Sequence, residues 1–288
     1  MDKLRHILIF FILSTLTLNA QEKYALLIGI SNYPVESGWN AIHGANDIVI
    51  IRETLLKLGF NEANIKELTN SNATCSNIIT GLENILKNVN RNDIVYIHFS
   101  GHGQRITDLD GEEEDGLDES WIPIDAYKEY RKGVYEGENH IIDDRLNDYL
   151  ARLRYKVGNK GRIIVVSDAC HSGSGSRGFN DEEIFKRGSS DNFVIPNIRN
   201  IAKRKEYPVE WLFVAACKSY QTNYEYRDNN GVYYGILSYS IACTADKLFN
   251  VTYNEAVSMW GAIVKERSIY PQNIDVEGAP NIINNNLF

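Results

Sequence analysis

Residues 93 to 103 read Asp93-Ile94-Val95-Tyr96-Ile97-His98-Phe99-Ser100-Gly101-His102-Gly103, and residues 161 to 173 read Gly161-Arg162-Ile163-Ile164-Val165-Val166-Ser167-Asp168-Ala169-Cys170-His171-Ser172-Gly173. Each begins as a short, continuously apolar run rich in β-branched residues and ends among small and polar ones. That pattern predicts a strand buried on both faces, the kind found in parallel sheets. Lys23-Tyr24-Ala25-Leu26-Leu27-Ile28-Gly29-Ile30 and Trp211-Leu212-Phe213-Val214-Ala215-Ala216 repeat it, and Asn64 to Leu68 is a shorter strand candidate. Between them, helical spacing of apolar residues predicts helices over Asp47–Leu58 with Gly59 as its stop, Thr74 to about Asn88 with Thr74 as its cap, Asp144–Tyr155, about Tyr234–Lys247, and Asn254–Glu266. Strand alternating with helix predicts an α/β fold: one α/β/α sandwich around a central, mainly parallel sheet.

The chain has 288 residues with a formal net charge of −8. Its balance argues against binding nucleic acid, where affinity is mostly counterion release by Lys and Arg. Lys3 and Arg5 precede an apolar run from Ile7 that ends near Ala20. This is the pattern of a signal peptide over residues 1–20, with the folded domain at 21–288; an N-terminal anchor is the alternative. The chain is therefore expected to be exported, with no stable membrane span after signal cleavage. Cys75, Cys170, Cys217 and Cys243 show no CxxC spacing, and at least one of them is expected as a free thiol.

Two stretches, Gly101–His140 and Ser172 to about Pro208, carry no clear periodicity and read as long connections. Both follow buried strands. Ligands of open α/β sheets bind beyond the carboxyl ends of the strands, so the site is expected at these two places. His102, between two glycines at a strand end, suits proton transfer. Cys170 sits in a turn of small residues that lets a substrate backbone approach. A thiol needs a neighbouring imidazole to act as a thiolate near neutral pH, so adjacent strands would make these two a nucleophile and its base. His171 competes for the role of His102, but adjacent residues on extended backbone point apart, which places it behind the site. His98 and His102 lack a third zinc ligand, and Gly173-Ser174-Gly175 lacks the spacing of an acyl-hydrolase elbow.

SGHG after one strand and DACHSG after another resemble the caspase-like cysteine peptidases, peptidase family C14, and among them the metacaspases and their bacterial relatives. Gly44-Ala45-Asn46-Asp47, the acidic stretch from Asp110, Ile142-Asp143-Asp144, Ala215-Ala216-Cys217, Gln221 and Gln272 support the likeness. The resemblance implies a caspase-like fold and a cysteine endopeptidase in which His102 is base and acid, Cys170 is nucleophile, and the backbone N–H groups of Gly103 and Cys170 form the oxyanion hole. It places Asp168, Asp47 and Ser100 around the P1 side chain, implying cleavage of proteins or peptides after Arg or Lys. No cofactor is required by this chemistry. The calcium ligands of calcium-activated relatives match Asp118, Asp143 and Asp144, whereas a further ligand position is Arg177 here. Basic residues of the second long connection, above all Lys186, Arg187 and Lys205, are expected sites of self-cleavage. A monomer is expected; a catalytically silent binding module of the same fold is the alternative.

Overall fold

The computed structural model describes residues 21–111, 113–171, 185–196, 208–278 and 286–288. The expected signal segment 1–20, Arg177 and Lys205 lie outside the described residues. In chain order the main elements are β1 (Lys23–Gly29), α1 (Gly44–Lys57), β2 (Ile65–Thr69), α2 (Cys75–Asn88), β3 (Ile94–Ser100), β4 (Gly103–Thr107), β5 (Leu117–Trp121), β6 (Ile141–Ile142), α3 (Asp143–Val157), β7 (Arg162–Asp168), β8 (Leu212–Ala215), β9 (Glu225–Arg227), β10 (Tyr233–Gly235), α4 (Ile236–Cys243), α5 (Tyr253–Arg267) and β11 (Asp275–Glu277).

Six strands form the central sheet in the order β11-β8-β7-β3-β1-β2. All its pairs are parallel except β11 with β8. The continuous apolarity of the inner strands follows from burial on both faces. Leu26, Ile28, Val95, Ile97, Ile163 and Val165 join one core with residues of α2 and α3. Ala25, Leu27, Ile94, Tyr96, Ile164 and Val166 join the other with residues of α1, α4 and α5. Side chains of successive strand residues alternate between faces, so each strand feeds both cores. Thr74 caps α2 by accepting from the Asn77 N–H, and Thr252 with Glu255 forms a capping box on α5.

Two expectations need correction. Residues 101–140 are not an unstructured connection: β4 and β5 pair antiparallel and β6 adds a third strand beside β5. The expected helix Tyr234–Lys247 begins later, because Tyr233–Gly235 pairs with Glu225–Arg227 as a hairpin and α4 starts at Ile236. Among the described residues, no helix is long and apolar enough to cross a membrane.

Candidate active site

β3 and β7 pair in register with Ser100 opposite Asp168. His102 and Cys170 each stand two residues past that pair, on adjacent loops at the carboxyl end of the sheet. The loops touch closely: a Cβ on Gly103 would lie 2.7 Å from the Cys170 carbonyl oxygen, so no other residue fits at 103 without displacing the Cys170 backbone. His102 is buried, stacks on Trp39 and leans on Tyr33, with ring centroids 4.7 and 5.0 Å away. Its Nε2 is 2.9 Å from the Asn40 carbonyl, while Nδ1 is buried without a hydrogen-bond partner. Burial pushes the imidazole pKa down to about 4, against the Asn40 carbonyl and with help from the Arg187 charge, so the ring is neutral at pH 7. The Cys170 thiol donates to the Gln221 carbonyl at 2.9 Å. None of the four cysteines is joined in a disulfide.

Arg187 occupies the centre of this end of the molecule. Its backbone carbonyl accepts from the Cys170 N–H at 2.7 Å. The next residue, Gly188, lies against Cys170 so tightly that a Cβ there would be 2.1 Å from the Cys170 carbonyl oxygen and 3.0 Å from the Cys170 Cβ. His102, Lys186 and Gly188 line a cavity of about 450 Å³ together with Trp39, Asn40 and Lys128. Cys170 and His171 line a separate one of about 340 Å³.

The Arg187 side chain is fully buried among three acids. Nη1 donates to Asp47 Oδ2 at 2.7 Å and to Ser100 Oγ at 2.5 Å, and lies 3.5 Å from Asp168 Oδ1. Ser100 in turn donates to Asp47. Nε donates to Glu225 Oε1 at 3.0 Å, with Nη2 2.9 Å from the same oxygen. The residues expected around P1, Asp47, Ser100 and Asp168, thus converge on one guanidinium.

Local sequence explains how they arrive there. A side chain at Gly44 would meet the Ser100 and Ile30 carbonyls at 2.3 and 2.7 Å, so glycine lets α1 start directly on the strand ends and puts Asp47 in its first turn. A carboxylate there also complements the helix dipole. Asp168 is fixed by the Asn223 amide at 2.8 Å and by the backbone and hydroxyl of Ser238 at 2.8 and 2.7 Å, both at the start of α4. Gly235 is required beside them, because a Cβ would come within 2.3 Å of both Arg187 Nη1 and Asp168 Oδ2. Burial raises the Asp47 pKa to about 6, against the pull of Arg187. Burial opposes ionisation of Glu225 as well, but Arg187 and the bonds from His43 outweigh it and hold that carboxyl below its ordinary value.

Sequence reasoning missed Glu225, Asn223, Ser238 and His43. Glu225 opens β9 with Asn223 two residues before it, Ser238 lies in α4 and His43 precedes α1, with no spacing that would link them to His102 or Cys170. Gln272 was noted only as part of the likeness; its amide donates to the Ala216 carbonyl and to Asn223, bracing the Asn223 side chain that holds Asp168.

The other histidines have separate partners. His171 Nδ1 is 2.8 Å from Glu119 Oε2, and that contact outweighs burial and raises its pKa. His98 sits between the Tyr96 hydroxyl and Ser238 Oγ, at 3.2 and 3.0 Å. Of the expected calcium ligands, Asp118 is the second residue of β5, while Asp143 and Asp144 open α3. Burial and the charges of Asp143, Asp108 and Asp144 push Asp118 up to about 8; burial and Asp144 push Asp143 up to about 7. Asp143 Oδ1 is buried without a hydrogen-bond partner. In charge and donor type this cluster suits a hard cation. Among the described residues, however, no three acidic, His or Cys side chains converge closely enough to hold one as they stand.

Part of the chain is similar to curated metacaspases. Metacaspase-1B of Aspergillus oryzae is 36% identical over 159 residues, which is 52% of this chain and 34% of that protein. Metacaspase-1 of Eremothecium gossypii is 34% identical over 158 residues, 52% of this chain and 32% of its own length. The chain therefore spans about a third of the length of these curated relatives. A protein from Geobacter sulfurreducens of known crystal structure shares the fold, with a TM-score of 0.61 and 19% identity over 93% of this chain and 98% of its own. The family model described as "Metacaspase, peptidase C14 domain" matches residues 23–176, more than half of the chain and both strand-end loops, and the chain belongs to that family.

Proposed function

We propose that the protein is a cysteine endopeptidase that hydrolyses peptide bonds after Arg or Lys. The observation that carries this reading is Arg187: its side chain fills an acid-walled pocket while its carbonyl sits on the Cys170 amide. A P1 residue whose scissile carbonyl faces the nucleophile would be held in this way.

The chemistry follows from these positions. Cys170 Sγ attacks the carbonyl carbon as its proton passes to His102, whose low pKa keeps it neutral and able to accept. The charge developing on oxygen falls to the Cys170 N–H, which already meets the Arg187 carbonyl, and to the Gly103 N–H as the second donor of the expected oxyanion hole. Collapse breaks the C–N bond, His102 returns the proton to the leaving amine, and the acyl group remains on sulfur as a thioester. Water, deprotonated by His102, then releases the acid and restores the thiol.

On this reading the chain is its own first substrate, cut between Arg187 and Gly188. Release of Arg187 would open the pocket to polypeptide substrates. The protein is proposed to act as an exported monomer after loss of residues 1–20, with no nucleic-acid partner. Fluorogenic peptides carrying Arg, Lys or Asp at P1 test the reading. Turnover should require Arg or Lys and vanish in Cys170→Ala and His102→Ala. Preference for Asp would overturn the pocket assignment, and a protein that neither cuts itself nor turns over any of the three would be a binding module.

Calcium is proposed to act through Asp118, Asp143 and Asp144, supplying positive charge where these carboxylates repel one another. An Asp whose folded pKa is raised stabilises the fold below its unfolded value and loses that contribution as pH climbs through the raised one. Here that window runs from about 4 to about 8. Without metal, the protein should therefore be less stable at pH 8 than at pH 5. Asp118→Asn should raise Tm at pH 8 by several degrees, given about 2–4 °C per kcal/mol for a domain of this size. Calcium should raise the wild-type Tm at pH 8 and have much less effect on the variant. Equal calcium shifts in both proteins would remove Asp118 from the site.

A further inference from the structure

We propose that Glu225 makes this pocket select arginine over lysine at P1. The inference rests on the basic-P1 reading above and concerns which groups divide the two cations.

The acids meet two different edges of the guanidinium. Asp47 and Ser100 hold Nη1, whereas Glu225 faces the opposite edge, Nε at 3.0 Å and Nη2 at 2.9 Å. Arginine satisfies both sides at once because its donors form a rigid planar fork. A lysine ammonium is a single point charge on a stem one bond shorter, ending where the guanidinium carbon would be. Moved toward Asp47 it abandons Glu225, and moved toward Glu225 it abandons Asp47.

Glu225 is not free to follow. Its side chain is fully buried, and both its oxygens are held by the residue before α1: Oε1 accepts from the His43 N–H at 2.7 Å, and Oε2 is 2.6 Å from His43 Nδ1. The His43 ring is itself clamped between Phe185 and Tyr233, at 4.5 and 4.9 Å between centroids. A carboxylate fixed and buried in this way loses a charge-assisted partner when lysine enters, and sites with buried polar groups reject substrates that leave them unpaired. Asp47 and Asp168 draw any cation inward, while Glu225 reads its shape.

The test uses the self-cut wild-type enzyme and Glu225→Gln on matched peptides with Arg or Lys at P1. Wild type should favour Arg by at least about tenfold in kcat/KM, on the scale of a polar contact left unmade. Glu225→Gln should lose activity mainly on Arg, closing the ratio to within about threefold. A structural role would lower both substrates equally and leave the ratio unchanged, overturning the proposal. Wild type that cuts both peptides equally would overturn it while sparing the basic-P1 reading; wild type that cuts neither would remove that reading itself. If Glu225→Gln does not fold, Arg187→Lys in the otherwise intact chain decides. Self-cutting at position 187 should slow by tenfold or more, and an unchanged rate would refute the proposal.

Discussion

Replacing Arg187 with Met should destabilise the uncut protein by about 3–5 kcal/mol at pH 8, the range for removing one partner of a buried ion pair. The comparison belongs in a Cys170→Ala background, so that both chains remain intact. Arg187 is the cation toward which Asp47, Asp168 and Glu225 all face, and the side chains of all four are fully buried. Methionine supplies similar bulk but leaves three carboxyls to be held without their partner. The loss should depend on pH with a definite sign. Asp47 already titrates near 6 instead of its ordinary 3.8, with Arg187 pulling the value down. Without that cation it rises further, so in the variant Asp47 takes up a proton on folding at pH values where the unfolded chain has already released it. Stability of the variant then falls as pH rises, and the deficit should be clearly smaller at pH 5 than at pH 8. Urea unfolding at the two pH values measures it. A deficit below about 1 kcal/mol at pH 8, or one equal at both, would mean that Arg187 does not neutralise this pocket.

The second large effect is kinetic. The wild-type chain should break between Arg187 and Gly188 in a first-order process whose rate constant is the same across a hundredfold range of protein concentration. The reason is proximity: the Arg187 carbonyl already rests on the Cys170 amide at 2.7 Å, and Gly188 presses on the Cys170 backbone. Holding reacting groups in this way is worth effective concentrations of about 10⁵–10⁸ M when the geometry is right, far above any concentration of a second molecule. Intact mass with time should show one fragment ending at Arg187 and one beginning at Gly188. Cys170→Ala should show neither, with cutting slowed by about 10⁴-fold or more, as expected for loss of a catalytic nucleophile. A rate that rises in proportion to concentration would assign the cut to a neighbouring molecule.

The sheet was legible in the sequence because its inner strands are buried on both faces and so contain little except apolar residues, as in Ile94–Phe99 and Ile163–Val166. The smaller strands were not. β4 and β5 alternate buried residues with half-exposed polar ones such as Arg105 and Glu119, a pattern shared with loops, and β9 and β10 are only three residues each. The placement of His102 and Cys170 could be inferred because each follows a clear strand within two or three residues. The rest of the pocket wall could not. Asn223 and Glu225 come from the far side of a connection in which each is one polar residue among many, and only the folded chain brings them to Asp168 and Arg187. Arg187 was one of several expected cleavage points, and burial separates it from Lys186, which lines the cavity beside His102.

The order of elements gives the proposed cut a thermodynamic meaning. β7 lies before Arg187 and β8 after it, yet the two are hydrogen-bonded within the central sheet. α4, α5 and β11 fall on the same side of the break as β8. The first piece would keep Asp47, Ser100, His102, Asp168 and Cys170, and the second would carry Asn223, Glu225 and Ser238. The second would also stay pinned near its new start, because the Phe193 N–H donates to the Arg105 carbonyl at 2.7 Å and its carbonyl accepts from Thr107 at 3.0 Å. A cut molecule is then a heterodimer of its own two halves, sharing one sheet and one pocket. Its stability becomes a matter of mass action, rising with concentration and falling on dilution, whereas that of the uncut chain does neither.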